Sequence, residues 1–351
     1  MKVLIIKLSS LGDVAHTLPA VAALRMGLSK KHATVRVDWL VEEAASGILK
    51  GNPLIDNVIV ARRGWLKNLK ANLDVSRRLK AESYDMVIDF QGLFKSGIWV
   101  FMSGAKKKAG FSNARELSAG FLNAKAPAYD PDKHAVERYL DLAKFAGGIT
   151  AGEAAYTLPI DEAAKISVFE KLKKAGLKGA GFFVIVPAAR WATKLWSIER
   201  FAELGKRVTD VSGLCAVMAG SASDRAVCDG IKSGIGNMAL NMAGMTDLKE
   251  LAEMMRAACF VVTVDSGPMH VAAAVGADVI ALFGPTAPWR TGPYGRGAVV
   301  ARKGLPCSPC FKKNCADLLC MDGIPVEEVF EAAKMVLERN KSPETKQGGQ
   351  G

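Results

Sequence analysis

Two turns in the sequence carry residue types that could handle a hydroxyl nucleophile and a phosphorylated donor. Near the N-terminus, the apolar run Val3–Leu8 leads into Ser9-Ser10-Leu11-Gly12-Asp13. Gly12 permits a tight turn, and Asp13 falls where a helix starts. A carboxylate at that place caps exposed backbone N–H groups. In a loop at a strand end it could equally act as a general base on an acceptor hydroxyl. In the second half, Phe260–Val264 runs into Asp265-Ser266-Gly267-Pro268-Met269-His270. Pro268 suits a first helical turn, and Ser266 or Gly267 suits its cap. The N–H groups of such a helix start, with the helix dipole, form a site for an anion such as a diphosphate. Capping accounts for Ser266, Gly267 and Pro268 but not for Asp265 and His270 flanking the same turn.

Other residues add to this set. After Phe182–Val186 come Arg190, Lys194 and Trp196. These two cations could neutralise a leaving diphosphate without a metal, or form a solvated loop. Gly284-Pro285-Thr286 is a further strand-end turn that brings backbone close to a ligand. Asp224, soon after Gly220, could accept from ribose hydroxyls or serve as an acid at a helix start. Cys307 and Cys310 form a CxxC, with Cys315 and Cys320 following at intervals of four residues. Four thiolates so spaced could hold structural zinc or iron. Reduced thiols in an irregular loop, or an incidental disulfide, are the alternative. Neither GxGxxG nor GKS/T is present, so the dinucleotide fingerprint and the Walker loop are excluded.

These turns need a scaffold that exposes strand ends. Val3–Leu8, Val35–Val41, Asn57–Ala61 and Met86–Phe90 have strand character, and Ala15–Leu28, Leu66–Glu82, Phe94–Ser103 and His134–Ala146 have helical periodicity. Gly147–Asp161 is punctuated by glycine and proline and marks the approach to a boundary, bridged by a helix over Ile160–Ala175. Alternation restarts with strands Phe182–Val186, Leu214–Ala219, Phe260–Val264 and Val279–Phe283. Helices Ile198–Asp210, Ser223–Ser233, Asp247–Ala258 and Pro268–Val275 separate them, and Pro325–Asn340 closes the pattern. Repeated alternation predicts an α/β chain of two doubly wound parallel-sheet domains, with ligands beyond the carboxyl ends of the strands and Asp13 facing Asp265 across a cleft.

Composition bounds the function. The chain has 351 residues, of which 50% are hydrophobic and 23% charged, which excludes disorder and leaves room for about two domains. Positions 1–150 hold 23 basic and 14 acidic residues, a net +9, leaving +3 for the rest. That asymmetry points the first half toward an anionic partner. No apolar run approaches the roughly 18 residues of a membrane span. Val3–Ile6 reads as a strand, not a signal peptide. Seven cysteines, an odd number, fit a reduced cytoplasmic setting.

The chain resembles the glycosyltransferase family 9 heptosyltransferases of the lipopolysaccharide inner core along nearly its whole length. The resemblance is carried by Lys7, Ser9-Ser10, Gly12-Asp13-Val14 and His16-Thr17-Leu18-Pro19. It continues through Arg36-Val37-Asp38-Trp39-Leu40-Val41-Glu42-Glu43, Arg62-Arg63-Gly64-Trp65, Tyr84-Asp85-Met86-Val87-Ile88-Asp89-Phe90-Gln91-Gly92-Leu93-Phe94-Lys95-Ser96 and His134-Ala135-Val136-Glu137-Arg138. Asp265 to His270 and Phe283-Gly284-Pro285-Thr286 carry it in the second half. The first half is most similar to heptosyltransferase I members, and the stretch from Cys307 to Cys320 to heptosyltransferase II members. Ala189 and Arg190 stand where type I members have hydroxyl residues, and Ser197 replaces a common proline.

The resemblance implies a GT-B fold, with residues 1–155 binding acceptor and 156–340 binding the nucleotide-sugar donor, while the polar stretch 341–351 reads by itself as a disordered tail. It also implies inverting, metal-independent transfer of heptose from ADP-heptose to Kdo of Kdo-lipid A, at the cytoplasmic face of the inner membrane and with no cofactor required. Asp13 matches the base. Lys194 matches a lysine on the donor phosphates, and Asp265, Ser266, Gly267 and His270 match the donor turn. Asp224 and Met245 match ribose and adenine contacts, while Arg62 and Arg63 match a basic pair meeting the acidic acceptor. Another nucleotide sugar or the second-heptose acceptor is the alternative within the fold. A basic nucleic-acid-binding protein without catalysis is the alternative outside it, and 7% aromatics with no recognition motif argue against that.

Overall fold

Val3, Leu4, Ile5 and Ile6 are wholly buried in the first strand, as a strand covered by helices on both faces requires. The computed structural model describes residues 1–64, 66–149, 158–179, 181–295 and 297–341. The chain forms two compact units, Met1–Pro159 and Ile160–Gly351.

The first unit holds β1 (Lys2–Ile6), β2 (Arg36–Glu42), β3 (Asn57–Ala61), β4 (Met86–Asp89), β5 (Lys107–Phe111) and β6 (Ala124–Ala126). All pair in parallel, in the order β3-β2-β1-β4-β5-β6. The second holds β7 (Phe182–Val186), β8 (Cys215–Met218), β9 (Ala239–Asn241), β10 (Val261–Val264), β11 (Val279–Phe283) and β12 (Ala298–Arg302). Their order, β12-β11-β10-β7-β8-β9, repeats the same winding with every pair parallel. Each sheet therefore reverses its winding once, between β1 and β4 and between β7 and β10. Loops leaving the two central strands diverge there and open a crevice at their carboxyl ends.

Sequence periodicity finds the buried strands and misses β5, β6, β9 and β12. Those four lie toward sheet edges, and Lys107-Lys108 in β5 and Ala124-Lys125-Ala126 in β6 lack the apolar run of a strand buried on both faces. Helix ends shift by a few residues because the caps lie outside the apolar stripe. His134 accepts from Val136 N ahead of Ala135–Ala146, and Asp161 accepts from Ala164 N ahead of Glu162–Lys174. The expected 66–82 helix is split into a 3-10 turn, Leu66–Asn68, and the helix Leu69–Ala81. Most of the expected tail, and much of the expected boundary stretch, lie outside the described residues.

Helix Ala135–Ala146 packs along helix Leu11–Ser29. A Cβ on Gly27 would sit 2.5 Å from Gly147 O, so only glycine admits this approach. The close packing brings Tyr139 over the end of β1. Among the described residues no helix is long and apolar enough to cross a membrane.

Candidate active site

In the first unit, β1 delivers Lys7 and the Ser9-Ser10 turn to the switch point. Asp13 lies at the third position of helix Leu11–Ser29, and its Oδ2 accepts from Ser10 N (3.0 Å) and Ser10 Oγ (2.8 Å). One carboxylate oxygen thus does the capping anticipated from the sequence. The other, Oδ1, accepts from Tyr139 Oη at 3.4 Å and lies 3.9 Å from Lys7 Nζ. The Asp13 side chain is still 39% exposed, so an incoming hydroxyl can reach it.

Lys7 is buried, and its ammonium donates to Phe90 O (2.9 Å) and Tyr139 Oη (2.6 Å). Burial opposes the Lys7 charge, but Tyr139, Asp13 and Asp89 outweigh it and hold the pKa above its ordinary value. Burial also raises the Tyr139 pKa, with Asp13 adding to it and Lys7 opposing it, so the phenol keeps its proton. Buried Asp89, at the end of β4, accepts from Gln91 N, Gly92 N and Ser96 Oγ. Desolvation raises its pKa against those bonds. Gln91 Oε1 accepts from Leu8 N and Ser9 N, both at 3.1 Å, which ties the β4 turn to the β1 turn.

Lys95 links Ser9 Oγ (3.0 Å) to Glu42 Oε1 (2.8 Å) along the same rim. Arg62, just past β3, pairs with Glu43 just past β2, and its backbone is gripped by the Asn72 amide. Arg62 and Arg63 are both exposed.

In the second unit, three strand-end loops converge on one carboxylate. Asp265, at the end of β10, accepts at Oδ2 from Lys194 Nζ (2.6 Å) after β7 and from Thr286 Oγ1 (2.6 Å) after β11. The Lys194 and Asp265 side chains are only 16% and 8% exposed, so this is a mostly desolvated pair. Lys194 Nζ also sits 4.5 Å from the Trp191 ring centroid. Ser266 takes the N-cap position of helix Gly267–Ala274 in extended backbone without a side-chain cap bond, and buried His270 follows in its first turns. Backbone N–H groups, a cation and a hydroxyl thus gather at the switch point, as an anionic leaving group would require.

Asp224 accepts from Ser221 N (2.7 Å) and Ser221 Oγ (2.6 Å), so its capping role is realised. Gly244 N donates to Gly220 O, which joins the Asp224 turn to the turn carrying half-exposed Met245. Exposed Arg190 lies on the β7 loop.

The profile of glycosyltransferase family 9 (heptosyltransferase) matches residues 73–320. The chain belongs to that family. Lipopolysaccharide heptosyltransferase 1 of Pseudomonas aeruginosa is 35% identical over 328 residues, covering 90% of this chain and 87% of that protein. The protein of the same description from Escherichia coli K12 is 30% identical over 311 residues, covering 86% and 93%. Among solved structures, E. coli heptosyltransferase WaaC with ADP-2-deoxy-2-fluoro heptose has a TM-score of 0.74 at 28% identity, covering 97% of this chain and 100% of that one. E. coli ADP-heptose lipopolysaccharide heptosyltransferase II has a TM-score of 0.79 at 23% identity, again over 97% and 100%. The fold is GT-B, and the chain is a glycosyltransferase enzyme, a heptosyltransferase of the lipopolysaccharide core.

In this heptosyltransferase the four late cysteines do not assemble a metal site. Among the described residues no group of three or more His, Cys, Asp and Glu is placed to hold a metal. Cys307 and Cys315 are exposed, Cys310 is half-buried and Cys320 is buried, all as free thiols. Backbone contacts hold the loop instead: Cys310 N and Phe311 N donate to Pro285 O, and Ser308 Oγ donates to Gly284 O. Burial raises the Cys320 pKa, with Cys310 and Cys307 adding to it.

Residue-type reasoning at the two turns did not single out the side chains of Lys7, Tyr139, Asp89 and Thr286, which the structure brings to these turns. Lys7 had a local signal, a lysine placed directly at the end of an apolar strand. Tyr139 had none, being one apolar position among several on an amphipathic helix.

Proposed function

We propose that this heptosyltransferase transfers heptose from ADP-heptose to a Kdo residue of Kdo-lipid A, inverting the anomeric centre and using no metal. Asp13 Oδ1 takes the proton of the acceptor hydroxyl as its oxygen bonds to the anomeric carbon. The bond from that carbon to the diphosphate oxygen breaks in the same step, and ADP leaves with the electron pair. Attack opposite the leaving group inverts the centre. Lys194 and the N–H groups at the start of helix Gly267–Ala274, with Ser266, Gly267 and His270 beside them, stabilise the departing diphosphate. Asp265 orients Lys194, Asp224 and Met245 meet ribose and adenine, and Arg62 and Arg63 meet the acceptor's acidic groups. In this reading residues 1–155 serve the acceptor, 156–340 serve the donor, and the work is done at the cytoplasmic face of the inner membrane.

The observation that carries the reading is the Lys194–Asp265–Thr286 cluster at the second switch point of a chain 35% identical to a lipopolysaccharide heptosyltransferase 1. A cation already held beside a helix N-terminus supports leaving-group stabilisation without a metal. The test incubates the protein with ADP-heptose, ADP-glucose or UDP-sugars. Each donor is offered with Kdo-lipid A or with the acceptor already carrying one heptose, with and without EDTA, and products are read by mass spectrometry. Product with ADP-heptose and Kdo-lipid A, undiminished by EDTA, supports the reading. Preference for another donor, preference for the heptose-bearing acceptor, or loss in EDTA overturns that part of it.

A further inference from the structure

Helix Phe94–Met102 buries Ser96, Gly97, Trp99 and Val100 and leaves Phe94 and Phe101 outward, 50% and 66% exposed. Two positions seven apart lie on one helical face, here with half-buried Ile98 between them. Leu117 joins the surface at 86% exposure. Its turn runs through two consecutive non-glycine residues with positive φ, Glu116 at 53° and Leu117 at 59°, a region bulky residues avoid. The turn is tied to the helix start, since Glu116 Oε2 accepts from Phe94 N (3.1 Å) and Arg115 N donates to Gly92 O. Phe94 also meets half-buried Phe121, four residues past Leu117, edge to face at 5.7 Å.

Cations rim the same surface. Lys108 Nζ lies 5.6 Å from the Phe101 ring centroid. The Lys80 stem passes beside Gly104, just past the helix end, and exposed Arg115 precedes the Leu117 turn. Glu116 has its carboxylate turned to the helix start. Exposed aromatic rings interleaved with cations match the boundary between anionic headgroups and acyl chains, where rings sit at headgroup depth and cations meet lipid phosphates. The net +9 of the first 150 residues adds the complementary charge. The surface also borders the candidate site, because Lys95 of the same helix donates to Ser9 Oγ, next to the Ser10 whose N–H and hydroxyl donate to Asp13.

We propose that Phe94, Phe101 and Leu117, with Lys80, Lys108 and Arg115 around them, form the face by which this enzyme docks on an anionic lipid bilayer. The proposal rests on the Proposed function only in taking the acceptor to be lipid-linked. Docking on this face holds the acceptor end of the first sheet against the leaflet from which the sugar acceptor projects.

The test is co-sedimentation of the full chain with vesicles of phosphatidylethanolamine and phosphatidylglycerol, against phosphatidylcholine alone, at low and high salt. The parent protein is expected to bind the anionic vesicles and to be weakened by salt. The variant Phe94→Ser, Phe101→Ser, Leu117→Ser should need roughly tenfold or more lipid for half-binding. Its turnover of a water-soluble, deacylated Kdo acceptor should equal that of the parent. Lys80→Gln, Lys108→Gln, Arg115→Gln should weaken binding and flatten its salt dependence. Phe101→Ser alone, on a side chain two-thirds exposed, gives the same direction of change if the triple variant folds poorly. Parent protein that ignores anionic vesicles, or apolar variants that sediment as the parent does, overturn the proposal. Vesicle binding is read without turnover, so failure of heptose transfer would strike the functional reading and leave this one standing.

Discussion

Lys7 Nζ donates to Tyr139 Oη at 2.6 Å, joining the residue after the first strand to a helix 132 positions later. The phenol in turn faces Asp13 Oδ1 at 3.4 Å. A buried ammonium therefore reaches the candidate base through a neutral hydroxyl, and burial of both partners makes the link costly to lose. Tyr139→Phe removes one hydrogen bond from a buried charge, an effect of about 1–3 kcal/mol on stability. It should also lower kcat and leave ADP affinity unchanged. Urea melts with calorimetric ADP titration check this, and weakened ADP binding would detach Tyr139 from Asp13.

Asp13→Asn keeps the shape that accepts from Ser10 and removes the charge. Turnover should fall by about 10²-fold or more, the scale of general-base loss, with melting temperature and ADP affinity close to the parent. Near-normal turnover in the folded variant would assign the base elsewhere.

Lys194→Ala leaves Asp265 buried with Thr286 as its remaining partner among those described above. Loss of one partner of a desolvated pair costs about 3–5 kcal/mol. Asp265→Asn leaves the more exposed lysine and should cost less. ADP affinity and kcat should both drop in Lys194→Ala, by the few kcal/mol of a lost electrostatic stabiliser. Unchanged ADP binding would remove Lys194 from the donor site.

Arg62 pairs with Glu43 at the surface, where such pairs contribute about 0–1 kcal/mol. Arg62→Ala with Arg63→Ala should leave the melting temperature nearly unchanged, raise the acceptor KM and spare ADP binding. Added salt should partly mimic the effect. Lost ADP affinity at constant acceptor KM would reverse the assignment.

Glu250 links helix Leu248–Ala257 to Lys171 (2.6 and 2.7 Å) and Ser167 (2.6 Å) of helix Glu162–Lys174. Burial favours its acid form, but Lys171, Ser167 and Asp247 N–H outweigh this and lower its pKa. A depressed carboxylate contributes stability above its unfolded pKa of about 4.3, lost as pH falls through the folded value. Urea melts from pH 7 down to pH 3 should show Glu250→Gln least stable relative to parent at pH 7, with the gap narrowing in acid. A constant gap would show that the Glu250 charge contributes nothing.

The sequence by itself determined the repeated α/β winding and the two turns around Asp13 and Asp265. Strands such as β1, β7 and β11 are buried on both faces and so appear as unbroken apolar runs, and Gly, Ser and Pro at their ends mark where the chain turns. Those signals sit within a few residues of one another. Tertiary structure decided the rest. The edge strands β6 and β9, three residues each, carry too little side-chain pattern and exist because a neighbour offers a ladder. Lys7 meets Tyr139 because helix Ala135–Ala146 packs along helix Leu11–Ser29, and Lys194 meets Asp265 across 71 positions because parallel crossovers bring distant strand ends to one edge of the sheet. Cys310 packs against Pro285, and no group of three or more metal-holding side chains forms among the described residues, because the direction of each side chain depends on what packs beneath it, and a spacing of cysteines along the chain does not contain that information.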